Sequence, residues 1–173
     1  MLSETVQDVD FAVVYRAEHR PLVRFVMFLG CGDPDLAEDI AQTAFERAFP
    51  VWPTIRNPQA WLRKVAQNEL ARRSRASARE TSLDAAPERA SRAAVVSAAL
   101  AAQQQAETRE VLAAVIADLP PKQRQAMAWH WDGFSDTEIA AHVGDSAEAV
   151  RKNRSRAMKK LRLALTQAGR EAI

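Results

Sequence analysis

Helical spacing of apolar residues runs through most of this chain and constrains the fold more than any other feature. Apolar positions three and four residues apart mark one face of a helix, and they recur here from Phe11 to Leu165. Runs of β-branched residues are almost absent and the chain has only five Gly, so helix propensity is favoured nearly everywhere. The sequence therefore predicts an all-α fold.

Two breaks divide the first part of the chain into helices. In GCGDPD, Gly30 and Pro34 end one helix, and either Asp33 or Asp35 can cap the next. The second break, PVWPTIRNP, has three prolines in nine residues. Each proline removes a backbone donor and restricts the residue before it, so no regular helix is expected there. Helical spacing then resumes at Trp61, and we predict a small helical bundle with one stiff loop.

A change of composition separates this bundle from the rest of the chain. From Ser74 to Glu107 the residues are mainly Ala, Ser, Arg and Gln, with no aromatic side chain. Such a segment buries little apolar surface, so we predict a flexible linker, with residues 95–105 helical when something packs on them. The expected divisions are an N-terminal tail 1–10, a first domain 11–79, the linker 80–107, a second domain 108–167 and a C-terminal tail 168–173.

The second domain has the pattern of a helix-turn-helix. LPPKQRQAMAWHW opens a helix with proline, and SDTE, residues 135–138, fits a capping box at the start of a short helix. Gly144 ends that helix, and Asp145 or Ser146 can cap the final one. Two short helices joined by a turn with glycine predict a helix-turn-helix.

The final helix is strongly basic, with no acidic residue between Val150 and Leu165. A basic run is often only a solvated helix face, but the preceding turn favours DNA binding. The first residues of such a helix enter the major groove, where Arg pairs with guanine and Asn with adenine. The base-reading candidates are Arg151, Lys152, Asn153 and Arg156. Further candidate contacts on this basic helix are Arg154, Lys159 and Lys160.

A second basic cluster lies near the end of the first domain, with Trp61 and Asn68 interleaved. Its cations are Arg63, Lys64, Arg72, Arg73, Arg75 and Arg79. Such a cluster suits unpaired DNA, because aromatic rings stack on bases and cations hold the backbone. Trp61 could equally be a core residue. The earlier segment PDLAEDIAQTAFERAF is acidic instead. Its exposed acids are either a solvated face or a docking surface for a basic partner helix.

Several function classes find no support in the sequence. Cys31 is the only cysteine, so no internal disulfide or thiolate metal cluster is expected, and a reducing cytosol fits best. The N-terminus lacks the features of a signal peptide, and no stretch approaches a membrane span. Isolated histidines, with neither a phosphate-binding glycine loop nor a nucleophile elbow, argue against an enzyme. We expect no catalytic residue, metal or cofactor.

Together these segments resemble a bacterial σ70-family sigma factor of group IV, the extracytoplasmic-function type, from about Phe11 to Leu165. YRAEHRPLVRF, AEDIAQTAFERAF and WLRKVAQNELARR are similar to successive parts of the family's σ2 domain. LPPKQRQAMAWHWDGFSDTEIAAHVGDSAEAVRKNRSRAMKKLR is similar to its σ4 domain. The resemblance implies two helical domains that direct RNA polymerase to promoters and help open the −10 region. The alternative is a stand-alone helix-turn-helix regulator.

The resemblance also implies partners and site residues. The docking surface for the β′ clamp helices of core RNA polymerase would be Asp39, Gln42 and Glu46. The −10 element would be captured by Asn57, Trp61, Asn68 and Arg72, with Arg63 and Lys64 nearer phosphates. The basic helix would read the −35 duplex. The β flap and an anti-sigma protein are further expected partners, in the bacterial cytoplasm and away from any membrane.

Arg154 departs from the family pattern, in which this position is commonly apolar. It lies four residues after Val150 and three before Ala157, within the arc that should pack on the preceding helices. We expect its aliphatic stem to cover the core edge while the guanidinium reaches a DNA phosphate. The alternative is an internal acid as partner, with Asp118, Asp132 and Glu138 as candidates.

Overall fold

The structure is a computed structural model that describes residues 10–80 and 114–171. The chain divides into two units, Met1–Arg89 and Ala90–Ile173. Every regular element within the described ranges is helical, which confirms the predicted all-α, two-domain fold. No helix in these ranges is long and apolar enough to cross a membrane. The predicted linker beyond Glu80 and the helix expected at 95–105 lie outside the described residues.

Within residues 10–80, the first unit contains three α-helices and one 3₁₀ helix. Helix α1 spans Phe11–Phe28, α2 spans Pro34–Ala48, and α3 spans Pro58–Glu80. The 3₁₀ helix spans Phe49–Thr54, within the proline-rich break. The expectation that no regular helix forms there is therefore wrong, because Phe49–Thr54 is a 3₁₀ helix, although the break contains no α-helix before Pro58.

Local caps fix where these helices begin. The Asp33 carboxylate accepts a hydrogen bond from the backbone N–H of Asp35 at 2.9 Å, so Asp33 is the cap of α2. Asn57 caps α3, because its Oδ1 accepts a hydrogen bond from the Ala60 N–H at 3.1 Å. Each cap satisfies a donor that the first turn of a helix leaves free. Asn57, a candidate DNA contact, thus has a structural role of its own.

Two expectations for the helix ends need correction. The spacing of Ile40, Ala44 and Phe45 predicts Phe49 on the same apolar face of α2, but its residue surface is 66% exposed. The reason is that α2 ends at Ala48 and the chain tightens into the 3₁₀ helix. The change of composition at Ser74 does not end α3, which continues to Glu80. Alanine and arginine are good helix formers, so a segment poor in core residues can still extend a helix.

The core of the first unit joins all three α-helices, each of which packs on the other two. Its buried side chains are Leu22, Phe25 and Val26 from α1, Ile40, Ala44 and Phe45 from α2, and Leu62 and Ala66 from α3. Full burial of a large apolar side chain contributes about 1.5–3 kcal/mol relative to exposure. This core holds the outer faces of α2 and α3 in fixed positions.

The described part of the second unit, residues 114–171, contains a helical turn at residues 114–117 and three α-helices. Helix α4 spans Pro121–Trp131, α5 spans Asp136–Val143, and α6 spans Ala147–Glu171. Helices α4 and α5 both pack on α6. Helices α5 and α6 form the predicted helix-turn-helix.

The signals that define the helix-turn-helix are where the sequence predicted them. Ser135 and Glu138 form the capping box of α5. Gly144 ends α5 in the left-handed conformation with a φ of 73°, which residues with a Cβ rarely adopt. Ser146 Oγ accepts a hydrogen bond from the Ala149 N–H at 3.1 Å, so Ser146 is the cap of α6.

An apolar core fixes α6 against the other helices of its unit. Its buried members include Trp129, Ile139, Val150, Ala157 and Leu161. The Trp129 ring stacks on the His142 ring with centroids 4.9 Å apart, which agrees with a structural role for this histidine. The spacing of Val150, Ala157 and Leu161 predicts Leu165 on the same apolar stripe of α6, but Leu165 is exposed. The buried part of the stripe therefore ends at Leu161.

Candidate functional site

The exposed face of α6 carries most of the predicted −35 contacts. Val150, Ala157 and Leu161 are buried. Turned away from them are the exposed side chains of Arg151, Lys152, Arg156, Lys159 and Lys160. Asn153 is half-buried beside the stripe. The helix thus presents cations near its N-terminal end, where a recognition helix contacts base edges.

Lys152 has an intramolecular partner at this surface. Its Nζ lies 2.8 Å from Glu148 Oε1, one turn earlier on α6. Both side chains are well exposed, so the ion pair is weak and can exchange for another partner. A base or phosphate contact by Lys152 would therefore require it to leave Glu148.

Arg154 does not extend to the surface as expected. Its Nε and Nη2 each donate a hydrogen bond to the Asp136 carboxylate, with both distances 2.9 Å. The expected reach to a DNA phosphate is therefore wrong for this structure. The alternative of an internal acid is confirmed, but the partner is Asp136 rather than Asp118, Asp132 or Glu138.

The position of Arg154 on α6 explains this pairing. Arg154 lies within the arc that faces α5, and Asp136 is the first residue of α5. The hydrogen bond from Arg154 is the main cause that lowers the pKa of Asp136, and the pKa of Arg154 is raised in turn. Glu138 has another role, because its carboxylate accepts hydrogen bonds from the backbone and hydroxyl of Ser135.

The predicted −10 contacts lie mainly on one face of α3. Trp61, Asn68 and Arg72 follow one another at seven and four residues, a spacing that places them on one side of a helix. Asn68 and Arg72 are exposed and Trp61 is half-buried. Lys64 is also half-buried and lies near this face. We call Trp61, Asn68 and Arg72 the α3 face.

Arg63 lies on the opposite side of α3 and is a correction to the prediction. Only 1% of its residue surface is exposed. Its Nη1 donates hydrogen bonds to Glu18 Oε2 at 2.8 Å and to the Gln59 carbonyl at 3.2 Å. The guanidinium also lies over the Phe25 ring, 5.9 Å from its centroid. Arg63 therefore ties α3 to α1 and is not available to a DNA phosphate.

Glu69 is an ionic centre that the sequence analysis did not identify. Its side chain is 1% exposed, and its two oxygens accept hydrogen bonds from three arginines. The distances are 2.8 Å from Arg47 Nη2, 3.0 Å from Arg72 Nε and 2.9 Å from Arg73 Nε. The hydrogen bond from Arg72 is the largest cause that lowers the pKa of Glu69 from 4.5 to about 2. We call these four residues the Glu69 cluster.

Part of the Glu69 cluster had a signal in the sequence. Arg72 and Arg73 follow Glu69 by three and four residues, a spacing that brings side chains together on one helix. Arg47 had no such signal, because it belongs to α2. The cluster therefore connects α2 to the α3 face through a contact that only the packing creates.

The predicted polymerase contacts form an exposed stripe on α2. Asp39, Gln42 and Glu46 are all exposed, at a spacing that places them on one helix face. Gln42 Nε2 donates a hydrogen bond to Glu46 Oε1 at 3.0 Å. Arg73 Nη1 lies 3.9 Å from Asp39 Oδ2, so the Glu69 cluster borders one end of the stripe. We call these three residues the docking stripe.

Comparisons with known proteins agree for both units. Residues 14–80 match the family described as Sigma-70 region 2, and residues 109–161 match the family described as Sigma-70, region 4. The RNA polymerase sigma-E factor of Streptomyces coelicolor is 34% identical over 135 residues, which cover 75% of this chain and 72% of that protein.

A solved structure shares the fold. It is the sigma factor RpoE in complex with the anti-sigma factor NepR, from Bartonella quintana. The TM-score is 0.72 at 24% sequence identity, over 91% of this chain and 97% of that chain. The two matched regions and the Streptomyces relative place the chain in the σ70 family of RNA polymerase sigma factors, in its extracytoplasmic-function group.

Proposed function

We propose that this sigma factor divides promoter recognition between its two units. In the first unit, the docking stripe binds the β′ clamp helices of core polymerase and the α3 face holds unpaired bases of the −10 element. In the second unit, α6 reads the −35 duplex while the unit contacts the β flap. The observation that carries the proposal is the separation of charge: an acidic stripe on α2, and exposed cations on α3 and α6.

The α3 face has the chemistry that an unstacked base requires. The half-buried ring of Trp61 can stack on a base, and the exposed amide of Asn68 can hydrogen-bond its edge. Lys64 lies near enough to this face to hold the DNA backbone. Arg72 is anchored by Glu69, which leaves its guanidinium in a fixed orientation at the end of the face. Single-stranded DNA is therefore a better ligand for this face than a duplex.

The docking stripe suits a basic partner helix. Its two carboxylates are exposed. Ion pairs with a basic partner helix would therefore offset the hydration that these carboxylates lose on binding. Their charge also repels DNA, which keeps the α2 surface for protein. We further propose that the chain acts in the bacterial cytoplasm and catalyses no reaction itself. Because the Bartonella relative is bound to an anti-sigma factor, we include such a protein among the partners.

Run-off transcription tests this function directly. Core bacterial polymerase, with and without the purified chain, is supplied with genomic fragments of the source organism. We expect discrete transcript starts that require the chain. Absence of any start above the core-alone control would contradict the proposal. A stand-alone regulator, which is not favoured, would instead bind a duplex site tightly without polymerase.

A further inference from the structure

The Asp136–Arg154 ion pair joins the two helices of the helix-turn-helix. It connects the first residue of α5 to the second turn of α6 through two parallel hydrogen bonds. A bidentate arginine–carboxylate contact restricts orientation as well as distance, because both groups are planar. The two side chains are 22% and 28% exposed, so solvent competes less for them than at the open surface. The pair therefore constrains how α6 crosses α5.

The pair lies next to a base-reading candidate. Arg151 is one turn before Arg154 on α6 and is close enough to contribute to the lowered pKa of Asp136. The Asp136 carboxylate thus faces two arginines of the recognition helix but makes its hydrogen bonds to only one of them, Arg154. Rotation of α6 about this contact would move Arg151 and Arg156 together, since both are fixed to the same helix.

The pair also changes how much charge α6 presents to DNA. Of the seven cations between Val150 and Leu165, Lys152 and Arg154 have carboxylate partners among the described residues. The exposed Lys152 pair can exchange for a phosphate at little loss, whereas the half-buried bidentate pair cannot. Release of Arg154 would add one cation to the surface of α6 that faces DNA. It would not improve discrimination between base pairs, because phosphate contacts do not distinguish bases.

We infer that Asp136 is a positioning residue for −35 recognition: its carboxylate fixes the crossing of α5 and α6 and holds the Arg154 guanidinium away from the DNA backbone. The inference rests on the proposed reading of the −35 duplex by α6. It assigns Arg154 to the scaffold of the recognition helix and removes it from the set of DNA contacts. Asp136 thereby acts on specificity without touching DNA.

The test uses holoenzyme made from core polymerase and the full chain. Wild-type holoenzyme first selects a −35 sequence from a promoter library randomised at that element. Two probes are then compared: the selected promoter and the same promoter with a scrambled −35 element. We expect Asp136→Asn to reduce the affinity ratio between them roughly fivefold or more, as expected when a base contact is misplaced. The change should appear as relaxed preference at individual base pairs.

Salt dependence separates positioning from direct contact. Affinity falls as salt rises, and each phosphate contact makes the slope of log affinity against log salt concentration steeper by about 0.9. For Asp136→Asn we expect a slope steeper by about this amount, because the freed Arg154 can take a phosphate. For Arg154→Leu we expect an unchanged slope, whereas Lys159→Ala should lower it by about one unit. A fall of about one unit for Arg154→Leu would overturn the inference.

An apolar pair provides the rescue. The double variant Asp136→Leu with Arg154→Leu replaces the ion pair by side chains that can pack at the same crossing, a change that is often neutral for stability. We expect it to recover most of the discrimination lost in Asp136→Asn, with the wild-type salt slope. Failure to recover discrimination in a folded double variant would overturn the inference. Asp118→Asn, which makes the same chemical change as Asp136→Asn at an exposed position before α4 and outside the helix-turn-helix, is the matched control and should leave discrimination unchanged.

Two failures remain distinguishable in this design. If wild-type holoenzyme selects no −35 sequence, the proposed function of α6 is wrong and the inference falls with it. If wild-type holoenzyme selects a sequence and Asp136→Asn discriminates equally well, only the role of Asp136 is wrong.

Discussion

Arg63 and Arg154 show how the position of a cation on its helix decides what it binds. Each lies on the side of its helix that faces the rest of its unit, and each pairs with a carboxylate of a neighbouring helix. A guanidinium in such a place requires a partner, because an unpaired buried charge would cost several kcal/mol. Arg151 and Arg156 face solvent instead and remain candidates for DNA.

We predict that Arg63→Ala lowers the free energy of unfolding by about 1–3 kcal/mol, because it removes a buried hydrogen-bonded partner of Glu18 and the packing of the side chain. Chemical denaturation of the full chain measures this change. Arg75→Ala, on the exposed part of α3, is the control and should change stability by less than about 0.5 kcal/mol. If the folded Arg63→Ala protein kept its stability but lost promoter opening, a DNA contact by Arg63 would be supported after all.

We predict that Glu69 makes the first unit sensitive to acid. Its folded pKa is about 2, below its ordinary value of 4.5, so its stabilising effect is fully present above pH 4.5. That effect is lost as the pH falls towards 2, while the three arginines stay charged. Denaturation of wild type and Glu69→Gln between pH 2 and pH 6 measures it. The stability difference between them should shrink on acidification, and a difference independent of pH would contradict the prediction.

The caps of several helices were predictable from the sequence because a cap and the turn it stabilises lie within a few residues of one another. The capping box of α5 and Gly144 each act on the adjacent turn, so spacing identified them, and for α2 it left only Asp33 and Asp35 as alternatives. Contacts between helices were not predictable in this way. Arg47 and Glu69 are 22 residues apart, and Arg154 and Asp136 are 18 apart. Such pairs depend on how helices cross, which the spacing of apolar residues does not specify.

We predict that Trp61→Ala and Asn68→Ala weaken open-complex formation more than core binding, because their proposed partners exist only once bases unstack. Loss of a stacked base costs about 1–3 kcal/mol. Permanganate footprinting at the −10 element measures opening, and a competition assay measures core binding. Because Trp61 is half-buried, the melting temperature of the Trp61→Ala variant is measured as well. If Trp61→Ala only lowers that temperature and the soluble fraction stays fully active, the ring belongs to the core.

Exposed charges of opposite sign lie on different helices, as the proposed division of partners among α2, α3 and α6 requires. The net charge is only +2, yet α6 and α3 present cations while α2 presents the docking stripe. The exposure of most of these charged residues is as the helical spacing predicted, whereas their binding roles stay predictions. Sequence reasoning misassigned Arg63 and Arg154, which serve the scaffold. The Glu69 cluster borders the docking stripe at Asp39 and anchors Arg72 of the α3 face, so one buried carboxylate supports both surfaces of the first unit.

Glu46 is the best position in the docking stripe at which to test binding to core polymerase. Asp39 lies near Arg73, so reversing its charge would also disturb the Glu69 cluster. Glu46 contacts Gln42, and a cation there, near the C-terminal end of α2, is favourable to the helix dipole. We therefore expect Glu46→Lys to leave the melting temperature unchanged and to weaken binding to core polymerase about tenfold, mainly through slower association at low salt.

The control for this prediction is Asp118→Lys, which makes the same change of charge at an exposed position of the second unit. Core binding of wild type and both variants is measured by competition at low and high salt. Because screening weakens interactions between exposed charges, the defect of Glu46→Lys should shrink as salt rises. Equal defects in the two variants would mean that net charge alone matters, and α2 would then lose its assignment as the surface that binds polymerase.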